Sequence, residues 1–131
     1  MKTLVVSDQP LTVIALQSVL RRVAPRAEQL DANHLGEAMQ LLTEHGPVDL
    51  MVLDLDTHGM RRVSGAALLR QMWPGVPMML VCDAEHAADA SRSADIGAEA
   101  CLLKADPTDK ISAAFASVLE GAPVSEPALA M

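Results

Sequence analysis

Two rhythms of apolar residues run along this chain. Short unbroken apolar blocks alternate with longer stretches in which apolar residues recur every third or fourth position. The first rhythm reads as buried strand and the second as amphipathic helix. Leu4-Val5-Val6-Ser7 is the first block. Pro10 then suits the first turn of a helix, where its missing N–H costs little, and Val13, Leu16, Leu20 and Val23 follow at helical spacing. Glu28 to Ala32 is a weaker strand. Asn33 is placed to cap the next helix, whose apolar face is Leu35, Ala38, Met39 and Leu42 and whose stop is Gly46-Pro47. Leu50-Met51-Val52-Leu53 is apolar at every position, which predicts a central strand covered on both faces. A loop from Asp54 to Ser64 leads to a helix over Gly65 to Trp73, closed by Pro74-Gly75. Met78-Met79-Leu80-Val81 is the fourth strand, Ala84 to Ile96 an alanine-rich helix stopped by Gly97, and Ala100 to Leu103 the fifth strand. Asp106 as N-cap and Pro107 at the first helical position open the last helix. Its stripe is Ile111, Ala114, Phe115, Val118 and Leu119, and Gly121 ends it.

Strand followed by helix, repeated along the whole chain, predicts an α/β fold around a parallel sheet. One domain is expected over residues 1–121. Residues 122–131 hold Pro123 and Pro127 with little periodicity, and read as a tail or the start of a linker to an output domain not contained in the chain. Composition narrows the function. The net charge of −7 argues against nucleic-acid binding by this chain itself, because phosphate contacts need clustered Lys and Arg. Arg21-Arg22 and Arg61-Arg62 are isolated pairs that read as solvated surface. No apolar run is long enough to span a membrane, and the start carries no secretory signal pattern, so a cytoplasmic location is expected. Cys82 and Cys101 lack metal-ligand spacing and read as packed free thiols. His34, His45, His58 and His86 are scattered and read as surface residues, with only His58 near the chemistry described next.

In a parallel α/β sheet, ligands bind beyond the carboxyl ends of the strands. The first strand ends at Ser7-Asp8, the third at Asp54 with Asp56 two residues on, the fourth at Cys82-Asp83 and the fifth at Lys104. A flavodoxin-like, doubly wound (βα)5 arrangement with five strands in the order 2-1-3-4-5 makes the first and third strands neighbours. That order brings Asp8 and Asp54 side by side, with Lys104 reaching in across the fourth strand. Two adjacent carboxylates repel unless a cation compensates them, and oxygen-only ligands suit Mg²⁺. A metal site, a nucleophilic Asp and a Lys are the parts that phosphoryl transfer needs.

These residues resemble the receiver domains of response regulators, the CheY-like superfamily. Leu4-Val5-Val6-Ser7-Asp8-Gln9-Pro10-Leu11 is similar to the family's first-strand motif, and Val48-Asp49-Leu50-Met51-Val52-Leu53-Asp54-Leu55-Asp56 to its phosphoacceptor segment. Gly97-Ala98-Glu99-Ala100-Cys101-Leu102-Leu103-Lys104 is similar to the segment ending in the family's lysine. The resemblance spans Lys2 to Gly121. It implies a two-component regulator rather than an enzyme, taking a phosphoryl group on Asp54 from a sensor histidine kinase. Asp8 and Asp54 would be Mg²⁺ ligands, Asp56 would offer the same ion its backbone carbonyl, and Lys104 would bind the phosphoryl oxygens. Cys82 stands at the switch Ser/Thr position, where its S–H is a weak donor, and Cys101 stands at the aromatic switch position. Ser7 replaces one acid of the metal-binding pair, which implies weaker Mg²⁺ affinity. His58 replaces a proline, and Arg61-Arg62-Val63 lengthens the loop so that its closing glycine comes late, at Gly65. Val118 to Leu129 resembles the exit of receivers that precede a LuxR/NarL-type helix-turn-helix domain, which implies either a fragment of a transcription regulator, with DNA binding in a part outside this chain, or a stand-alone receiver.

The alternative is a degenerate, phosphate-independent receiver that acts as a protein–protein interaction module, through partner contacts or homodimerisation on the face of its fourth and fifth helices. Loss of the switch hydroxyl and aromatic favours that reading, while Asp8, Asp54 and Lys104 together favour phosphorylation. Cys82 and Cys101 as redox sensors compete with simple core packing. Asp54-Leu55-Asp56-Thr57 also echoes the DxD motif of haloacid-dehalogenase-type phosphatases, but it follows the third strand rather than the first and its Thr falls one residue early. A flavin site would need a Ser/Thr/Gly-rich loop after the first strand and aromatic surface, and the chain offers neither.

Overall fold

Strands and helices alternate from end to end of the computed structural model, which describes residues 1–86 and 89–120. The strands are β1 (Lys2–Val6), β2 (Glu28–Ala32), β3 (Leu50–Asp54), β4 (Met78–Cys82) and β5 (Ala100–Leu103), and the helices are α1 (Pro10–Val23), α2 (Leu35–His45), α3 (Val63–Met72), α4 (Asp89–Asp95) and α5 (Thr108–Leu119). All strand pairings are parallel and the order is β2-β1-β3-β4-β5, the expected doubly wound, flavodoxin-like sheet.

Side chains on a strand alternate between faces, so each apolar run feeds two cores. Leu4, Val6, Met51, Leu53, Met78 and Leu80 point to the side covered by Ala38 and Leu42 of α2 and by Ala66 and Leu69 of α3. Val5, Leu50, Val52, Met79 and Val81 point to the other side, against Leu16, Val19 and Leu20 of α1 and Ile111, Ala114, Phe115 and Val118 of α5. Every residue of β3 and of β4 is buried, which is why those two runs carry no alternation of apolar and polar.

Several local details differ from expectation. His34, not Asn33, caps α2: its Nδ1 accepts the Glu37 N–H at 3.1 Å, while the Glu37 carboxylate accepts the Asn33 N–H at 2.8 Å. The pair is a variant of the capping box, with an imidazole in place of the usual hydroxyl and the return bond taken from the N–H of Asn33, one residue before the cap. Asp106 does not cap α5. Its Oδ2 turns back to accept the Leu103 N–H at 2.9 Å, and the helix starts at Thr108 with Pro107 in the cap position. The segment expected as one helix from Ala84 to Ile96 opens as a 3₁₀ turn over Ala84–His86 and is α-helical over Asp89–Asp95. Residues 87–88 of it, the expected stop at Gly121 and the expected tail over 122–131 lie outside the described residues.

α3 begins two residues earlier than predicted, at Val63, after a loop in which Arg61 and Arg62 both have positive φ, at 56° and 57°. That region disfavours residues with a Cβ, so the loop is held by its contacts rather than by its own preference. Gly65 is one anchor. Its N–H donates to the Met60 carbonyl at 2.8 Å, and a Cβ on Gly65 would overlap both that oxygen and the Met60 sulfur. Met60 is fully buried and cannot swing away. Gly65→Ala is therefore expected to destabilise the chain by about 1–3 kcal/mol, the usual cost of overpacking. Urea denaturation read by the lone Trp73 would measure it, and an unchanged midpoint would refute the constraint.

Candidate functional site

The ends of β1, β3, β4 and β5 converge on Asp54. Its side chain is fully buried at the last position of the central strand. The register pairs Val6 with Leu53, so the residue opposite Asp54 is Ser7. The Ser7 hydroxyl donates to Asp54 Oδ2 at 2.7 Å and accepts the Gln9 N–H at 3.1 Å. Asp54 Oδ1 accepts the Asp56 N–H at 2.9 Å and lies 2.9 Å from Lys104 Nζ. A buried carboxylate is tolerated when both oxygens are bonded and a cation is at hand, and all these conditions hold here.

Lys104 follows β5, and its backbone N–H donates to the Cys82 carbonyl at 2.9 Å, which fixes the side chain's point of departure. Its ammonium spans Asp54, Asp56 Oδ2 at 3.0 Å and Gln9 Oε1 at 3.1 Å, with Asp83 Oδ1 at 3.8 Å. Burial works to lower its pKa, but the bonds to Asp54 and Asp56 outweigh it and hold the amine above its ordinary value. The lysine is a permanent cation at the bottom of an acidic pocket.

Asp56 contributes more than the main-chain group expected of it. Its Oδ1 pairs with Arg62 Nη1, and its Oδ2 accepts the Asp83 N–H at 2.8 Å besides facing Lys104. Burial pushes its pKa up, yet Arg62, Lys104 and the Asp83 N–H together hold it well below the usual carboxylate range. Arg62, read from sequence as solvated surface, is a partly buried member of the site and also donates to the Leu55 carbonyl at 3.1 Å. The signal for it was the lengthened loop after Asp54, whose extra residues deliver this guanidinium.

Asp8 lies past the end of β1. Its carboxylate is exposed and accepts the His58 N–H at 3.0 Å, one position beyond the direct contact with Asp54 that Ser7 takes. The donor set still suits a hard divalent cation: the exposed Asp8 carboxylate, Asp54 Oδ2 and the Asp56 carbonyl offer oxygen only. At the end of β1 it is a hydroxyl, not a carboxylate, that meets Asp54 and donates to it. No group of three or more His, Cys, Asp or Glu side chains among the described residues forms a ready metal cluster.

Cys82 ends β4 fully buried. Burial first, then the adjoining Cys101 and Asp56, push its thiol up to about 12. The raised value leaves the protonated, unreactive form at neutral pH. Alkylation with iodoacetamide near pH 8 is therefore expected to modify the partly exposed Cys101 first and Cys82 only after unfolding, as peptide mapping would show. Rapid native-state labelling of Cys82 would contradict this burial.

A doubly wound parallel sheet with an Asp–Lys pair and further carboxylates at the carboxyl edge is the receiver type of architecture. The response regulator receiver domain family matches residues 3–116, and the chain belongs to that family. It is 28% identical over 120 residues to the glycerol metabolism activator of Pseudomonas putida, covering 92% of this chain and 54% of that protein, so the chain spans about half the relative's length. In structure it is similar to the signal receiver domain of the DNA-binding response regulator merR from Colwellia psychrerythraea, with a TM-score of 0.81, 22% identity, and 92% and 98% of the two chains covered. It is also similar to the RcsB response regulator of Salmonella typhimurium, with a TM-score of 0.82, 13% identity, and 99% and 67% covered. At these identities the structural matches show the fold. As a receiver of the two-component type, the chain is a signal-transduction module. Among its described residues no helix is long and apolar enough to cross a membrane.

Proposed function

We propose that the chain accepts a phosphoryl group on Asp54 from a sensor histidine kinase and passes the signal to an output domain. The observation that carries this reading is the fully buried Asp54 carboxylate with Lys104 Nζ at 2.9 Å. An Asp54 oxygen attacks phosphorus, the P–N bond to the donor imidazole breaks, and the imidazole takes up a proton as it leaves. The product is an acyl phosphate, which water later hydrolyses. Lys104 neutralises charge that moves onto the phosphoryl oxygens, and the low-dielectric pocket strengthens that attraction. Mg²⁺ held by Asp8, Asp54 and the Asp56 carbonyl would supply further charge neutralisation. Ser7, donating to Asp54 Oδ2, orients the carboxylate and competes with metal for that oxygen.

The receiver would extend over residues 1–121 with a linker from 122, acting in the cytoplasm. Similarity to the glycerol metabolism activator and to a DNA-binding regulator supports transcription control through a helix-turn-helix domain outside this chain. A second reading, a phosphate-independent interaction module that docks a partner or a second copy, is favoured by Leu11 and Ile14, which stand 82% and 61% exposed on α1.

Intact-mass spectrometry after incubation with acetyl phosphate and Mg²⁺ tests the first reading. A single phosphoryl adduct, absent from Asp54→Asn, is expected. No adduct on the folded wild-type chain would leave the interaction module as the better account.

A further inference from the structure

Asp56 has no part in the transfer step beyond its backbone, yet its carboxylate sits in the middle of the site. Asp56 Oδ2 takes the Asp83 N–H at 2.8 Å and Lys104 Nζ at 3.0 Å, and Oδ1 takes Arg62. One carboxylate thereby ties together the loops that leave β3, β4 and β5. The same lysine nitrogen lies 2.9 Å from Asp54 Oδ1, so Asp56 Oδ2 and Asp54 Oδ1 sit on either side of it.

A phosphoryl group on Asp54 would bring anionic oxygens into this space. Lys104 and the Asp83 N–H already converge on a single oxygen of Asp56. Two anions compete for these donors and repel each other in a buried setting. Arg62 makes the occupant hard to move. It is delivered by a backbone with positive φ at Arg61 and Arg62, a conformation that must be maintained by the contacts around it, and the Arg62 bonds to Asp56 and the Leu55 carbonyl are among them.

We propose that Asp56, held by Arg62, is a resident anion in the phosphoryl seat: its carboxylate occupies Lys104 and the Asp83 N–H in the unmodified chain and must be displaced before Asp54 is phosphorylated. The exit of β4 is thereby bridged to the exit of β5 without phosphate. This inference rests on the phosphoacceptor reading of Asp54 and specifies how that site is regulated. A merely structural ion pair would behave differently, since loosening it would slow transfer or leave it unchanged.

The test is the rate of adduct formation from acetyl phosphate and Mg²⁺, followed by intact mass on wild type and Asp56→Asn, which keeps the backbone carbonyl. The variant is expected to react about tenfold faster, the weight of one charge-assisted hydrogen bond that no longer has to break. Arg62→Gln loosens the occupant while leaving Lys104 intact, and is expected to speed transfer about threefold, which serves if Asp56→Asn fails to fold. An adduct on Asp56→Asn but none on wild type would also support the proposal. Wild type reacting as fast as both variants, or faster, would overturn it while the phosphoacceptor reading stands. No adduct on any chain would overturn that reading and the competition with it. Hydrogen exchange at the Asp83 amide then decides the tie alone: about tenfold faster exchange in Asp56→Asn supports it, and unchanged exchange refutes it.

Discussion

Lys104→Met is expected to destabilise the chain by about 3–5 kcal/mol, the range for removing one partner of a buried ion pair. The ammonium is the shared counter-charge of Asp54, fully buried, and Asp56, nearly so. Methionine fills a similar volume, so packing is largely kept and the loss is electrostatic. Without the lysine, Asp54 keeps only neutral donors, the Ser7 hydroxyl and the Asp56 N–H, while Asp56 keeps Arg62. Adding Asp54→Asn should recover part of the lost stability, because the stranded charge is then gone, and a double-mutant cycle in urea would read that coupling. A loss below about 1 kcal/mol would mean that the pocket is wetter than its burial implies. The signs of the two shifts set the pH window. Lys104 is raised, so its contribution is fully present below its ordinary pKa and is lost as pH rises through the raised value. Asp56 is lowered, so its contribution is present above the ordinary carboxylate pKa and is lost as pH falls through the depressed value. Stability from this cluster should be flat across neutral pH and fall at both extremes.

Phe115→Ala is expected to cost about 3–5 kcal/mol as well, but with a different signature. Phe115 is the chain's single phenylalanine and is fully buried between α5 and the sheet, with Leu16, Val81 and Leu102 in the same core. Cutting it to Ala opens a cavity that the two neighbouring helices cannot close by side-chain motion alone. α5 starts after the Lys104 turn and donates nothing to Asp54 or Asp56. The variant should therefore unfold at lower urea yet, while folded, take up the phosphoryl group at an unchanged rate. A large drop in that rate in the folded variant would show that α5 packing reaches the site.

The Asp54–Lys104 pairing was legible in sequence because strand ends in a parallel sheet converge, and both residues close uninterrupted apolar runs. Strand order came from the flavodoxin-like arrangement expected of repeated strand–helix units, and the sheet has that order. The side-chain role of Asp56 and the place of Arg62 were not legible. Both depend on where a loop points, and that loop owes its course to positive φ at two arginines, a conformation that arginine itself does not signal. Ser7 was read as a missing acid. The register instead puts its hydroxyl directly on Asp54, a role that a list of residue types does not convey. The imidazole cap of α2 escaped notice because His34 stands next to Asn33, a residue with the stronger capping preference.

The most direct test of the central claim is to locate the phosphoryl group. Borohydride reduces an aspartyl phosphate to homoserine, so reduction after acetyl phosphate treatment, followed by peptide mass spectrometry, marks the residue that carried it. The account predicts homoserine at position 54 alone, and none when Lys104→Met is treated in the same way. Homoserine at position 56 or 8 in place of 54, or an adduct that survives in Asp54→Asn, would contradict it.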